Sequence, residues 1–177
     1  SKMATCSCRG DPHCHQFDQT ADAAPLDIKG SCIYTLATDS CGLHGKKRHQ
    51  STFAVLANFH KSKIGRPLTY IDQVIIIMKA KKGRKMKIVL GHGGVVKYNA
   101  APVTLPFQPK RKRGLSITMD KEGNTVVALP NGVEVVWNNV KMVEIRAPQD
   151  MMGNICGICG RYSGVEDQLD RDRKSVV

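Results

Sequence analysis

Between residues 32 and 147 apolar and polar side chains alternate with a period of two, interrupted every few residues by Gly-, Asn- or Asp-bearing turns. A strand sends successive side chains to opposite faces, so this alternation prescribes half-buried β-strands and leaves almost no 3.6-residue periodicity for helices. The pattern predicts strands over 32–38, 52–59, 68–79, 86–91, 95–99, 114–119, 125–129, 133–137 and 140–147. Val133, Val135 and Trp137 are expected to face one side, with Glu134 and Val136 on the other, and Trp137 reads as core. Turns are expected at Lys82-Gly83, His92-Gly93-Gly94, Glu122-Gly123-Asn124 and Asn131-Gly132. Asn-Gly is a strong hairpin signal because both residues tolerate positive φ. Many short strands at close spacing indicate an all-β chain, an antiparallel sandwich or barrel-like module. Only 165–173 is expected to form a helix, and a short one.

The 177 residues are expected to form a single domain, 1–177, with 1–5 as a trimmed or disordered start and 165–177 as a tail of mixed charge. This length suffices for a real core. The longest strongly apolar run, Val74 to Met78, is far too short to cross a bilayer as a helix. Seven cysteines lie at 6, 8, 14, 32, 41, 156 and 159. Clustering at both ends suits long-range disulfides, which persist in an oxidising compartment, and an odd number leaves at least one thiol free or bonded to another chain. Secretion is therefore the expected localisation.

Several local motifs recur in a definite order. Cys6 stands four residues before Gly10-Asp11-Pro12-His13, and Phe17-Asp18 follows. Then come Gly30-Ser31-Cys32-Ile33-Tyr34-Thr35-Leu36 and Asp39-Ser40-Cys41. After a long basic β region and Val133-Glu134-Val135-Val136-Trp137, the chain closes on Cys156-Gly157-Ile158-Cys159-Gly160. In this order the motifs resemble the von Willebrand factor type D module of secreted mucins, clotting factors and matrix proteins, over nearly the whole chain.

The resemblance implies bridges Cys6–Cys159 and Cys41–Cys156. In the family the partner of the Cys32 position lies in a following cysteine-rich module, so Cys14–Cys32 is expected as a local substitute, with Cys8 as the candidate intermolecular thiol. Some members are self-cleaved at the matching Asp-Pro bond. There the Asp11 carboxyl would attack its own carbonyl carbon, the Pro12 nitrogen would leave, and His13 would donate the proton as pH falls. The competing reading is a rigid Asp-Pro turn. Calcium is the family's usual ion, and here Asp18, Glu166, Asp167 and Asp170 would supply hard oxygen donors. Arg161 and Ser163 replace two oxygen-bearing positions of the family's site, so an Arg161–Asp18 ion pair is the alternative. Zinc on Cys6, Cys8, His13, Cys14, His15, Cys156 and Cys159 is disfavoured, because the spacing is not that of a finger.

The formal net charge is +12, and residues 42–114 hold 17 Lys or Arg against one acid, Asp72. Two runs stand out: Lys79, Lys81, Lys82, Arg84, Lys85 and Lys87, then Lys110, Arg111, Lys112 and Arg113. They read either as solvated loops guarding strand edges or as an anion-binding rim. Acidic glycans, an anionic matrix and other extracellular chains are the expected partners. Nucleic acid is not expected, since aromatics are 5% and no RNA-binding motif occurs. His44, His49, His60 and His92 are expected at the surface. No catalytic triad or phosphate loop appears, so the chain reads as a non-enzymatic structural or adhesive module. The alternatives are the same module in a lipid-carrier or yolk-type protein and, more remotely, in a marine luciferase.

Overall fold

A computed structural model describes residues 3–10, 13–19, 24–27, 32–41, 52–62, 69–79 and 84–163. The chain runs through β1 (Met3–Arg9), β2 (His13–His15), β3 (Leu26–Asp27), β4 (Cys32–Thr38), β5 (Phe53–Lys61), β6 (Thr69–Lys79) and β7 (Lys85–Leu90). It continues through β8 (Val96–Tyr98), β9 (Ala101–Pro102), β10 (Ser116–Met119), β11 (Thr125–Ala128), β12 (Glu134–Trp137) and β13 (Met142–Pro148). One sheet has the order β10-β11-β12-β13-β1-β2-β3 and the other β4-β5-β6-β7-β8-β9, both antiparallel throughout. The all-β antiparallel architecture read from the alternation is thus the one observed. The two single-turn 3-10 segments are His92–Gly94 and Gln149–Met151, and the short helix expected over 165–173 lies outside the described residues.

Register converts the alternation into a core. In the first sheet Val127, Val135, Ile145 and Cys6 stand opposite one another as a cross-strand row, and Trp137, Val143, Cys8 and Cys14 form the next. The second sheet answers with Val55, Ile76 and Ile88, then Ala57, Val74, Leu90 and Val96. All of these are buried. Cross-strand apolar pairs on one face are the unit of sheet stabilisation, and here both inner faces carry them.

One end of the sandwich is knotted by polar contacts among its turns. The Trp137 indole Nε1–H donates to the Gly91 carbonyl at 2.9 Å across the two sheets. Gly93 N–H donates to Asn139 O at 3.1 Å, and Gly10 N–H to Lys141 O at 2.7 Å. The Asn139 amide in turn donates to Gly123 O at 3.0 Å. His92 and His60 are exposed as expected, yet His92 is built into this end. Its Nε2 lies 2.7 Å from Ile71 O, and its ring centroid 5.9 Å from that of Trp137. His44 and His49 lie outside the described residues.

One expectation needs correction. Residues 3–5 are not a loose start: Met3, Ala4 and Thr5 pair with Pro148, Ala147 and Arg146. The strand was hidden because Met-Ala-Thr shows no contrast between apolar and polar positions, whereas its partner strand does. Val136 faces away from Val135 as expected and is buried there, at 5% exposed.

Replacing Trp137 with phenylalanine keeps most of the apolar contact but strands the Gly91 carbonyl in a dry site. A loss of about 1–2 kcal/mol is expected, read as a lower midpoint in chemical denaturation.

Candidate functional site: the disulfide seam

A two-sheet sandwich has open lateral sides, and here residues 155–163 close one of them. Cys156 exchanges both backbone hydrogen bonds with Thr38 at 3.0 Å, at the end of the outermost strand β4. Ile158 N–H then donates to Thr35 O at 3.1 Å, and Cys159 N–H to Leu36 O at 2.8 Å. On its other side the same segment meets the first sheet. Phe17 N–H donates to Cys159 O at 3.1 Å, the Gln16 amide donates to Ile158 O at 2.8 Å, and the Phe17 and Tyr162 rings sit 5.9 Å apart. The segment is a seam with one sheet bonded to each edge.

Glycine at 157 is dictated by this geometry. Its φ is +119°, and a Cβ there would lie 2.7 Å from Leu36 O and 2.9 Å from Leu36 C. Any side chain would push the segment off β4, so the Cys-Gly-x-Cys motif is a close-approach device as much as a cysteine motif.

Covalent bonds then fasten the seam. Cys6 is joined to Cys159 with Cα atoms 5.7 Å apart, and Cys41 to Cys156 at 5.4 Å. Cys6 is at mid-strand in β1 and Cys41 lies just past the end of β4, so the bridges run along one lateral side. They do not gather at a single end of the sandwich. The third bridge joins Cys8 to Cys14, Cα to Cα 4.1 Å, and Cys32 is exposed and free.

The local assignments of Cys14–Cys32 and of Cys8 as the intermolecular thiol are therefore corrected. Cys8 and Cys14 are directly opposed in the β1–β2 hairpin, whereas Cys32 begins a strand of the other sheet. The signal was legible: a hairpin centred on the Gly-Asp-Pro turn pairs residue 9 with 13 and residue 8 with 14. It was missed because β1 and β2 were not recognised as strands.

Cys6 and Cys8 share a strand face because they are two residues apart. Their sulfurs and that of Cys159 all lie within 4.8 Å of one another, fully buried. Each of the three is spent in a disulfide, which lacks the thiolate character zinc requires.

Of the self-cleavage residues, Asp11 and Pro12 lie outside the described residues, and His13 is exposed at the start of β2 opposite Arg9 and Asp27. Asp18 Oδ2 accepts hydrogen bonds from Ser163 N–H at 2.8 Å and Ser163 Oγ–H at 2.7 Å. Among the described residues no ion pair joins it to Arg161, the alternative to calcium, and Ser163 is a partner of this carboxylate. Glu166, Asp167 and Asp170 lie outside the described residues, as do Lys81 and Lys82. Lys79, Arg84, Lys85, Lys87, Lys110, Arg111 and Arg113 are exposed and Lys112 is half-buried.

The sequence model of the von Willebrand factor type D domain matches residues 6–171. The chain belongs to the von Willebrand factor type D domain family. Similar proteins include human zonadhesin, 30% identical over 97% of this chain, human IgGFc-binding protein, 28% over 89%, and human mucin-5AC, 26% over 98%. The chain spans only 6%, 3% and 3% of those proteins, respectively. Among the described residues no helix is long and apolar enough to cross a membrane.

In the chain-entropy picture, the bridges of this type D domain are unequal. Closing 153 or 115 residues is worth about 5 kcal/mol when each bridge acts alone, and closing 6 residues about 2 kcal/mol. With Cys41–Cys156 in place, Cys6–Cys159 closes an effective loop of only about 40 residues, worth about 4 kcal/mol. Removing either long bridge as a Cys-to-Ser pair is expected to cost about 4 kcal/mol, roughly twice the cost of removing Cys8–Cys14. Denaturant titration of the three double variants under non-reducing conditions checks the ranking.

Proposed function

We propose that this type D domain is a secreted, non-enzymatic structural or adhesive module of an extracellular assembly, in which Cys32 bonds a cysteine outside the domain, in a neighbouring module or another chain, and the basic rim holds anionic material. The observation that carries the reading is the inequality among the cysteines. Six are consumed in the fold, while Cys32 is left exposed at the outset of an edge strand. A buried bridge serves stability, whereas an exposed thiolate in an oxidising compartment attacks a disulfide that reaches it, forming a mixed disulfide and releasing the other sulfur as a thiol. The relatives support this use: zonadhesin and the mucins are similar over nearly all of this chain, and in each it corresponds to a small part of a much longer protein.

The test is electrophoresis of the domain made through a secretory pathway. Unreduced wild-type protein is expected to run in disulfide-linked species that collapse on reduction, and Cys32→Ser is expected to run as a monomer with its three internal bridges intact. A wild-type protein that is wholly monomeric, with Cys32 open to alkylation, would contradict the proposal.

Self-cleavage at Asp11-Pro12 is part of the same proposal, and the bridges define its signature. Cys8–Cys14 and Cys6–Cys159 both straddle that bond. After incubation at mildly acidic pH, residues 1–11 are expected to stay attached until reduction releases them. Protein whose reduced mass is unchanged by acid would count against the cut.

A further inference from the structure

Strand β7 places Met86, Ile88 and Leu90 in the core, so Lys85 and Lys87 project from the outer face of their sheet. Strand β8 does the same with Lys97, between buried Val96 and half-buried Tyr98. Strand β6 ends on exposed Lys79, which stands directly opposite Lys85. Like charges directly opposed across a ladder are destabilising, and these have no local counter-charge. The ion pairs among the described residues join His60 to Asp72 and Arg146 to Glu134 and Glu144. None of them involves a lysine of this face.

The backbone that carries the cations is also held in place. Lys87 N–H donates to Asn99 Oδ1 at 2.9 Å, and Asn99 N–H returns to Lys87 O at 2.8 Å, which fixes β7 against the turn after β8. The second basic run is anchored separately, from the core side. Phe107 and Ile117 exchange backbone hydrogen bonds at 2.9 Å, closing the loop that carries Lys110–Arg113. The Phe107 ring lies 5.1 Å from that of Tyr98, which faces the core side of β8, away from Lys97.

We propose that the outer face of β6, β7 and β8, through Lys79, Lys85, Lys87 and Lys97, binds a linear sulfated or carboxylated glycan. The inference rests on the anionic-matrix reading above and gives it a surface and a ligand class. Charges about 7 Å apart along a strand and about 5 Å apart between strands form an extended track. Such a track matches a polymer with repeating anionic groups better than one compact anion. An array without carboxylates attracts such a chain over roughly a Debye length.

A lipid surface fits less well. The apolar residues of this outer face on β6 and β7, Ile75, Ile77 and Val89, are half-buried or buried, and exposed Ile33 lies away from them on edge strand β4. Exposed Tyr70 lies at the opposite end of β6. Nucleic acid fits less well again, because a domain with three disulfides matures where nucleic acid is scarce.

The experiment titrates the domain with a size-defined heparin-type dodecasaccharide and, separately, with phosphatidylcholine vesicles containing phosphatidylserine, at physiological ionic strength. The variants are K85Q/K87Q/K97Q on the face and R9Q/K121Q/K141Q elsewhere, which removes equal charge from exposed positions. The face variant is expected to bind the oligosaccharide about tenfold more weakly and with a shallower salt dependence, the other variant within about twofold of wild type. Equal weakening in both variants, or vesicle binding tighter than oligosaccharide binding, overturns the site while leaving the anionic-matrix reading in place. Wild-type protein that binds neither probe overturns both.

Discussion

The fold depends on the seam. Two antiparallel sheets with apolar inner faces would bury a core in any mutual arrangement that covers both, and the hydrophobic effect is indifferent to which edge lies beside which. The 155–163 segment removes that freedom. It supplies backbone partners to the last strand of one sheet and to the residues after β2 of the other, so the lateral side between the sheets can close in only one way. Gly157 allows the approach to β4, and the two long bridges make it irreversible without a reductant. Cooperative stability of a single domain is typically about 5–15 kcal/mol, so a crosslink worth about 4–5 kcal/mol is a large share of the whole. The seam is therefore a fold determinant as well as a stabiliser.

How much of this was legible in the sequence follows from where the signal is physical. The strands from β4 onward, the two-residue β9 apart, were visible mostly because apolar and polar positions alternate, as in Val143-Glu144-Ile145-Arg146 or Met86-Lys87-Ile88. The strands β1 to β3 were not, because cysteine, alanine and histidine give no clear apolar rhythm, and β2 and β3 are only three and two residues long. That loss propagated: the Gly-Asp-Pro turn signals the pairing of Cys8 with Cys14 only once β1 and β2 are taken as strands. The long bridges came from family resemblance, since spacing over more than a hundred residues carries no pairing information. Ser163 as the partner of Asp18 was also hidden, because a contact 145 residues apart in sequence is a product of the seam itself.

Charge and covalency are divided between different parts of the molecule. The bridges lie along the side where β4 meets β1 to β3, and the uncompensated lysines lie toward the opposite edge of the second sheet, on β7 and β8. The free thiol begins β4, while the densest cationic strand is three places away in sheet order. A module built this way can be linked through one edge and leave the other open to a polyanion, which is the physical content of the proposed role as an assembly unit of an extracellular matrix.

The most direct measurement of the account is peptide mapping of the unreduced, alkylated protein by mass spectrometry. The seam predicts cross-linked peptides for Cys6–Cys159, Cys41–Cys156 and Cys8–Cys14, with Cys32 recovered alkylated or joined to another chain. Recovery of Cys6 or Cys159 as alkylated thiols, or of Cys14 joined to Cys32, would contradict it.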